Sequence, residues 1–373
     1  PYSLHTEKRE LGPVTWLGRY GTLAVAQYQA VRDVLDDTDN FLSGGGVGLS
    51  DVRKPGSWRP ASPIAEVDPP GHTAVRRTMN RIVSPRMVRG WRDHFATVAK
   101  QMCDQLPAAD DVEAVTQLIE PYVLTAFSDA LGVELHFENL IAIGNHSFNA
   151  SGPKNALFEE SATRAASVSD WFEDKQRAEA MRPGGFGEQV FAAEAAGELP
   201  AGSASPMLRT LIRGGMDTTI SALGTCLRMM AEQPEIWSAL RQEPALAMGL
   251  FEEAIRLESP VQSVYRTTAN ETLFHGVLLP DDTKVQVMLG AANRDPRQWD
   301  KADDIDLRRR GTQHAAFGIG AHNCLGQMIA RMEAEALLFE LVRRFDGISI
   351  AGAPAYRPIN VLRTLDRLPL RMS

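Results

Sequence analysis

His314-Ala315-Ala316-Phe317-Gly318-Ile319-Gly320-Ala321-His322-Asn323-Cys324-Leu325-Gly326 is a glycine-punctuated loop that delivers one cysteine to the start of a helix. Gly318, Gly320 and Gly326 permit close backbone approach and positive φ, which a bulky side chain would forbid. From Leu325 to Leu338 apolar residues recur at helical spacing. Cys324 is therefore expected at or near a helix N-terminus, where unpaired N–H groups and the macrodipole favour a thiolate. Two histidines accompany it, but no second cysteine is close, and a structural zinc site needs more sulfur at fixed spacing. A buried structural cysteine beside a glycine turn would give the same local pattern, so other segments must decide.

At 373 residues the chain exceeds the usual single-domain size, though one large α-rich domain accommodates it. The apolar and charged fractions, 44% and 23%, are those of an ordinary globular protein, and a formal charge of -8 argues against general nucleic-acid binding. No run of eighteen apolar residues is present to span a bilayer. Cys103, Cys226 and Cys324 lie too far apart for a disulfide framework, and a reducing, cytoplasmic location is expected. The chain opens on Pro1 without methionine and is expected to begin partway into an element, with a targeting segment possible upstream.

Taken in order, Tyr2 to Leu11 reads as a short helix, and Val14–Leu17 with Thr22–Ala26 as a hairpin. Phe41 to Ser50 carries four glycines without the lysine and hydroxyl of a phosphate cradle, so a mobile loop is expected. Ser57 to Pro70 is too proline-rich for regular structure. Asp68 to His72 starts a helix that places His72 and Arg76 on one face. Trp91 to Arg182 reads as helical with polar interruptions, and Arg182–Gly187 as a turn. Pro206 to Gln233 is bounded by prolines and reads as one helix of about 40 Å. Gly214-Gly215-Met216-Asp217-Thr218-Thr219 is its weakest point, where threonine hydroxyls can bend the axis and open a groove. Glu253 and Arg256 form an i,i+3 pair, and Glu271 to Leu289 reads as strands around a turn at Pro280–Asp282.

Phe317 to Gly326 resembles the haem-binding loop of the cytochromes P-450, the haem-thiolate monooxygenases. The Gly-Gly-Met-Asp-Thr segment resembles that family's distal helix, and Glu253-x-x-Arg256 its internal structural ion pair. The resemblance covers nearly the whole chain. It implies a mainly α fold with a small β region, a single domain over 1–373, and haem b between the long distal helix and the cysteine loop. It further implies Cys324 as the iron ligand. Phe317, Gly318, His322 and Gly326 would be cofactor contacts in the loop, and His72, Arg76, Arg266 and His314 would hold the propionates. Thr218 would contact O2 and Asp217 would feed protons toward it. Electrons would come from an iron–sulfur ferredoxin and its NAD(P)H-dependent reductase, because the chain holds no flavin or iron–sulfur motif. Arg86, Arg89 and Arg331 are candidates for a basic docking patch.

Four polar residues bear on the substrate. At 100° per residue Thr210 falls within about 20° of the face of Asp217 and roughly 10 Å along the helix, with Arg209 beside it. Arg59 and Ser62, in the proline-rich loop, could close on the same group. A planar cation and hydroxyls suit a carboxylate. This combination resembles the bacterial subgroup that oxidises para-substituted benzoates, and implies O-demethylation or hydroxylation of an aromatic acid. Gly214, Val261, Phe148, Ser151 and Val264 would complete the pocket. The sequence departs from that pattern: Ala65, Ser151 and Val264 replace bulkier side chains, and Arg213 stands where a small polar residue is expected. Arg213 would either bridge a nearby acid or add a cation to a roomier pocket for a larger or more polar acid. Oxidation of a terpenoid or steroid is the alternative within the family. A non-catalytic haem-thiolate sensor is the alternative outside it, and the Asp217-Thr218 pair speaks against that one.

Overall fold

The computed structural model describes residues 1–107, 110–134, 136–309 and 313–373. A helical body carries most of the core, and a small β region lies to one side of it. The body is built around the helices Arg92–Gln105, Asp217–Glu232, Leu246–Glu258 and Gln327–Arg344, which pack on one another through residues such as Phe95, Leu223, Phe251 and Leu337. The principal sheet has five strands in the order Thr15–Leu17, Thr22–Val25, Lys284–Val287, Val264–Thr268, Phe41–Leu42. Thr22–Val25 runs parallel to Lys284–Val287, and the other pairings are antiparallel. Among the described residues no helix is long and apolar enough to cross a membrane.

The helix expected over Pro206–Gln233 is present but divided into Ala204–Gly215 and Asp217–Glu232. Met216 leaves helical geometry at φ −105°, ψ −68°. Two adjacent glycines lower the cost of that break, and the hydroxyls after it take over the loosened carbonyls. Thr218 Oγ1 donates to Gly214 O at 2.9 Å and Thr219 Oγ1 to Gly215 O at 3.2 Å. The ring of Phe127 occupies the space a Cβ on Gly215 would need. The weak point is therefore where the helix divides, immediately before Asp217 and Thr218.

Two expectations need correction. Phe41 to Ser50 is pinned along its length. Asp68 accepts from Ser43 N and Gly44 N at 2.7 and 2.9 Å, Glu66 accepts from Val47 N at 3.0 Å, and Lys284 Nζ donates to the Gly45 and Gly46 carbonyls at 2.7 Å. Such long-range partners leave no mark on local composition. Within the segment read as helical, Asp111–Glu113 is a strand paired with Pro369–Met372. The chain's last part also adds Ile348–Ile350 and the pair Ala355–Arg357 with Thr364–Arg367. The hairpin, the 271–289 strands and the Gly71–Ile82 helix stand as expected.

Candidate functional site

Cys324 lies three residues before the helix Gln327–Arg344. Its loop folds back on itself: Cys324 N donates to Phe317 O at 2.7 Å, and Gly318 and Gly320 both adopt φ +71°. A Cβ on Gly320 would meet Leu35 O at 2.9 Å, so the loop can seat here only with glycine. Phe317 packs under the Arg331 guanidinium, 4.6 Å from its ring centre, and against Phe251. The Gly326 and Gln327 N–H groups and the cations Arg76 and Arg331 favour the thiolate, yet burial outweighs them and raises the thiol pKa. The helix start alone does not make the thiolate expected from sequence; a metal cation bound at Cys324 would supply the missing counter-charge.

His72, Arg76, Arg266 and His322 converge beside this loop. The two imidazoles have centroids 3.9 Å apart with their planes tilted by 34°, and among the described residues neither Nε2 has a hydrogen-bond partner. Burial, with His72, Arg266 and Arg76 nearby, pushes the His322 pKa down to about 3. Arg266 is buried and among the described residues donates only to Tyr265 O, at 2.9 Å. Arg76 grips the cysteine loop through Asn323 O and Oδ1 at 2.6 and 2.5 Å. Asp68, the acid facing His72 and Arg266, is occupied by backbone N–H groups. Two cations and two unpartnered ring nitrogens without a free acid fit the paired propionates of haem.

His314 departs from this group. Its Nε2 is 2.7 Å from Glu252 Oε2, and its Nδ1 accepts from Ala316 N at 3.3 Å, so both nitrogens are engaged. Arg331, read from sequence as a surface docking cation, is committed to the same Glu252 at 2.6 Å. These three residues brace the loop from outside the propionate group. Arg86 and Arg89 are exposed on the short helix Pro85–Arg89.

On the split helix, Asp217 is buried and its Oδ2 has no hydrogen-bond partner among the described residues. Burial raises its pKa to about 7, with Glu120 adding to the shift and Arg357 opposing it. The helix Phe137–Asn149 passes so close that a Cβ on Gly144 would collide with this carboxyl. Glu253 and Arg256 pair at 2.7 Å inside the protein, where Arg256 also binds the carbonyls of Asn293 and Ala302. Their place is structural.

Part of the group expected around the substrate comes together: Ser62 meets Thr210, and Arg209 and Arg59 lie close enough to Arg213 for their charges to act on it. The Ser62 and Thr210 hydroxyls are 3.0 Å apart, although one comes from the proline-rich loop and the other from the helix. Arg59 is paired with buried Glu66, which also accepts from Ser62 N at 2.7 Å. Arg209 forms no ion pair among the described residues, and burial lowers its pKa. Arg213 likewise bridges no acid among them: its Nε has no partner, and its guanidinium lies 6.0 Å from the Phe172 ring. Burial and the like charges of Arg209 and Arg59 lower its pKa to about 10. Phe148, Ser151, Val261 and Val264 are half-buried, and a Cβ on Gly214 would meet nothing within 4 Å. Sequence reasoning missed Glu66, Gly144 and His146; their partners are set by tertiary contacts that no local pattern announces.

A helical body with a loop cysteine before a long helix, a cationic cradle beside that loop and a broken helix with a buried acid fits a haem-thiolate protein. The chain belongs to the cytochrome P450 family. The model of the cytochrome P450 family matches residues 197–351. Cytochrome P450 CYP199A2 of Rhodopseudomonas palustris is 38% identical over 375 residues, covering 100% of this chain and 91% of that protein. Cytochrome P450 107B1 of Saccharopolyspora erythraea is 30% identical, covering 86% and 80%. The solved structure of cytochrome P450 CYP109Q5 from Chondromyces apiculatus superposes with a TM-score of 0.82 at 28% identity, covering 100% of this chain and 95% of that one. The protein is a monooxygenase, and haem b held by a cysteine thiolate is its family's cofactor.

Proposed function

We propose that this monooxygenase oxidises an aromatic carboxylate, such as a methoxylated benzoate, by O-demethylation or hydroxylation. The observation that supports this reading is the Ser62–Thr210 hydroxyl pair next to Arg209, a cation to which no acid among the described residues is paired. Guanidinium groups and hydroxyls bind a carboxylate through charge-assisted hydrogen bonds. The anchor lies about two helical turns from Asp217, which leaves one aromatic ring between it and the reacting carbon.

Haem bound through Cys324 supplies O2 activation: with two electrons and two protons, one oxygen atom enters a substrate C–H bond and the other leaves as water. The chain's own residues do the rest. Arg209 and the hydroxyls orient the ring, and half-buried Phe148, Val261 and Val264 exclude water beside it. Asp217, held near neutrality by burial, delivers protons toward the break in the helix, and Thr218 positions their acceptor. For a methyl ether the product is a hemiacetal that releases formaldehyde and leaves the phenol. Electrons come from an acidic iron–sulfur ferredoxin with its NAD(P)H-dependent reductase, docking beside exposed Arg86 and Arg89 in the cytoplasm.

The test is a spin-state titration of the haem protein with 4-methoxybenzoate and its methyl ester. The acid is expected to bind at least about tenfold more tightly, the worth of one charge-assisted contact. Equal affinity of acid and ester would overturn the carboxylate anchor.

A further inference from the structure

The charges of the group expected around the substrate do not balance for a singly charged acid. Arg59 is neutralised by Glu66, whose carboxylate is also bound by Ser62 N and Val47 N. That leaves the guanidinium groups of Arg209 and Arg213. The acid nearest Arg209 in effect is Glu173, which is exposed and forms no ion pair with it. Around Arg213 stand Arg59, Arg209 and Glu66, the His146 ring, whose pKa its charge helps to lower, and the Phe172 ring. An arginine does not shed its proton at working pH, and a buried cation without a counter-charge is costly. One carboxylate on Arg209 and Thr210 would leave Arg213 uncompensated.

Arg213 is also displaced from the anchor in a defined direction. It follows Arg209 by one helical turn, about 6 Å along the axis, and precedes Asp217 by another. Two carboxyl groups related 1,3 on a benzene ring are separated by a comparable distance. Ala65, Ser151 and Val264 leave room at the ring's edge, since each is small or β-branched and half-buried.

We propose that the substrate is an aromatic dianion, its first carboxylate on Arg209 with the Ser62–Thr210 hydroxyls and a second anionic group at the ring edge on Arg213. The inference rests on the aromatic-acid reading above and narrows it. A 1,3-dicarboxylate carrying its oxidisable group para to the anchor meets these requirements. Arg213 is then a specificity-determining residue: it selects the doubly charged ring, while Arg209 selects acids as a class.

The test uses the haem protein and compares 4-methoxybenzoate, its methyl ester and 4-methoxyisophthalate, by calorimetry and by spin-state titration. The dianion is expected to bind at least about tenfold more tightly than the monoanion. Arg213→Ser should remove that advantage, weakening the dianion by far more than the monoanion, and Arg213→Lys should restore part of it. Retention of the thiolate carbonyl-haem band in each variant shows that it has folded. Loss of monoanion and dianion affinity in equal measure on Arg213→Ser would overturn the proposal, because Arg213 would then serve the first carboxylate. So would a dianion that binds no better than the monoanion. The ester arm separates this from the parent reading: an ester that matches the monoanion sinks the carboxylate anchor itself.

Discussion

The carboxyl of Asp217 occupies the space in which a Cβ on Gly144 would stand. Two helices thereby enclose an acid whose Oδ2 has no partner among the described residues and whose pKa burial raises to about 7. Gly144→Ala must move Asp217 without touching the cysteine loop. Turnover should fall by about tenfold or more, as expected when one positioned proton donor is displaced. The carbonyl-haem spectrum should stay intact, with more of the consumed O2 appearing as hydrogen peroxide. Unchanged turnover would show that the carboxyl's position does not matter.

The same acid sets a pH dependence. The form that donates a proton dominates below about 7 and is lost above it. The turnover number should therefore decline as pH rises through that value, and Asp217→Asn should give a slower reaction without this limb. An identical decline in Asp217→Asn would assign the limb to another group.

Arg76 holds Asn323 of the cysteine loop through two hydrogen bonds and faces the His72–His322 pair. Arg76→Ala should lower haem content at purification and speed haem loss to an acceptor protein, whereas Arg77→Ala, exposed on the same helix, should do neither. Equal haem retention in both variants would remove Arg76 from the propionate contacts.

Glu333 is fully buried, and among the described residues neither of its carboxyl oxygens has a hydrogen-bond partner within ordinary distance; the neighbouring Thr219 hydroxyl donates to Gly215 O. Burial raises its pKa well above the usual 4.5. The unfolded chain ionises at the ordinary value, so this group's contribution to stability is complete below it and fades as pH rises through the folded value. Glu333→Gln removes the ionisation. Its melting temperature should fall less between about pH 5 and about pH 8 than that of the natural protein. Parallel curves would mean that Glu333 does not titrate differently on folding.

The parts legible in the sequence were those encoded locally. Gly318, Gly320 and Cys324 sit within one short loop, and the Gly214–Thr219 segment weakens its own helix at the point where the axis breaks. His314 and Glu252 are 62 residues apart, and nothing near His314 signals which acid it will meet. The Phe41–Ser50 loop read as mobile because its anchors, Asp68, Glu66 and Lys284, lie far along the chain. For Arg213, its position on the helix could be counted from spacing, but whether an acid stood opposite depended on packing.

Reduction of the purified protein under carbon monoxide tests the iron ligand most directly. The natural chain should show the red-shifted Soret band of thiolate-ligated carbonyl haem, and Cys324→Ser should lose it while Cys103→Ser and Cys226→Ser, both at buried cysteines outside the loop sequence, keep it. A Cys324→Ser protein that retained the band, or a natural protein that bound no haem, would contradict the assignment of Cys324 and everything built on it.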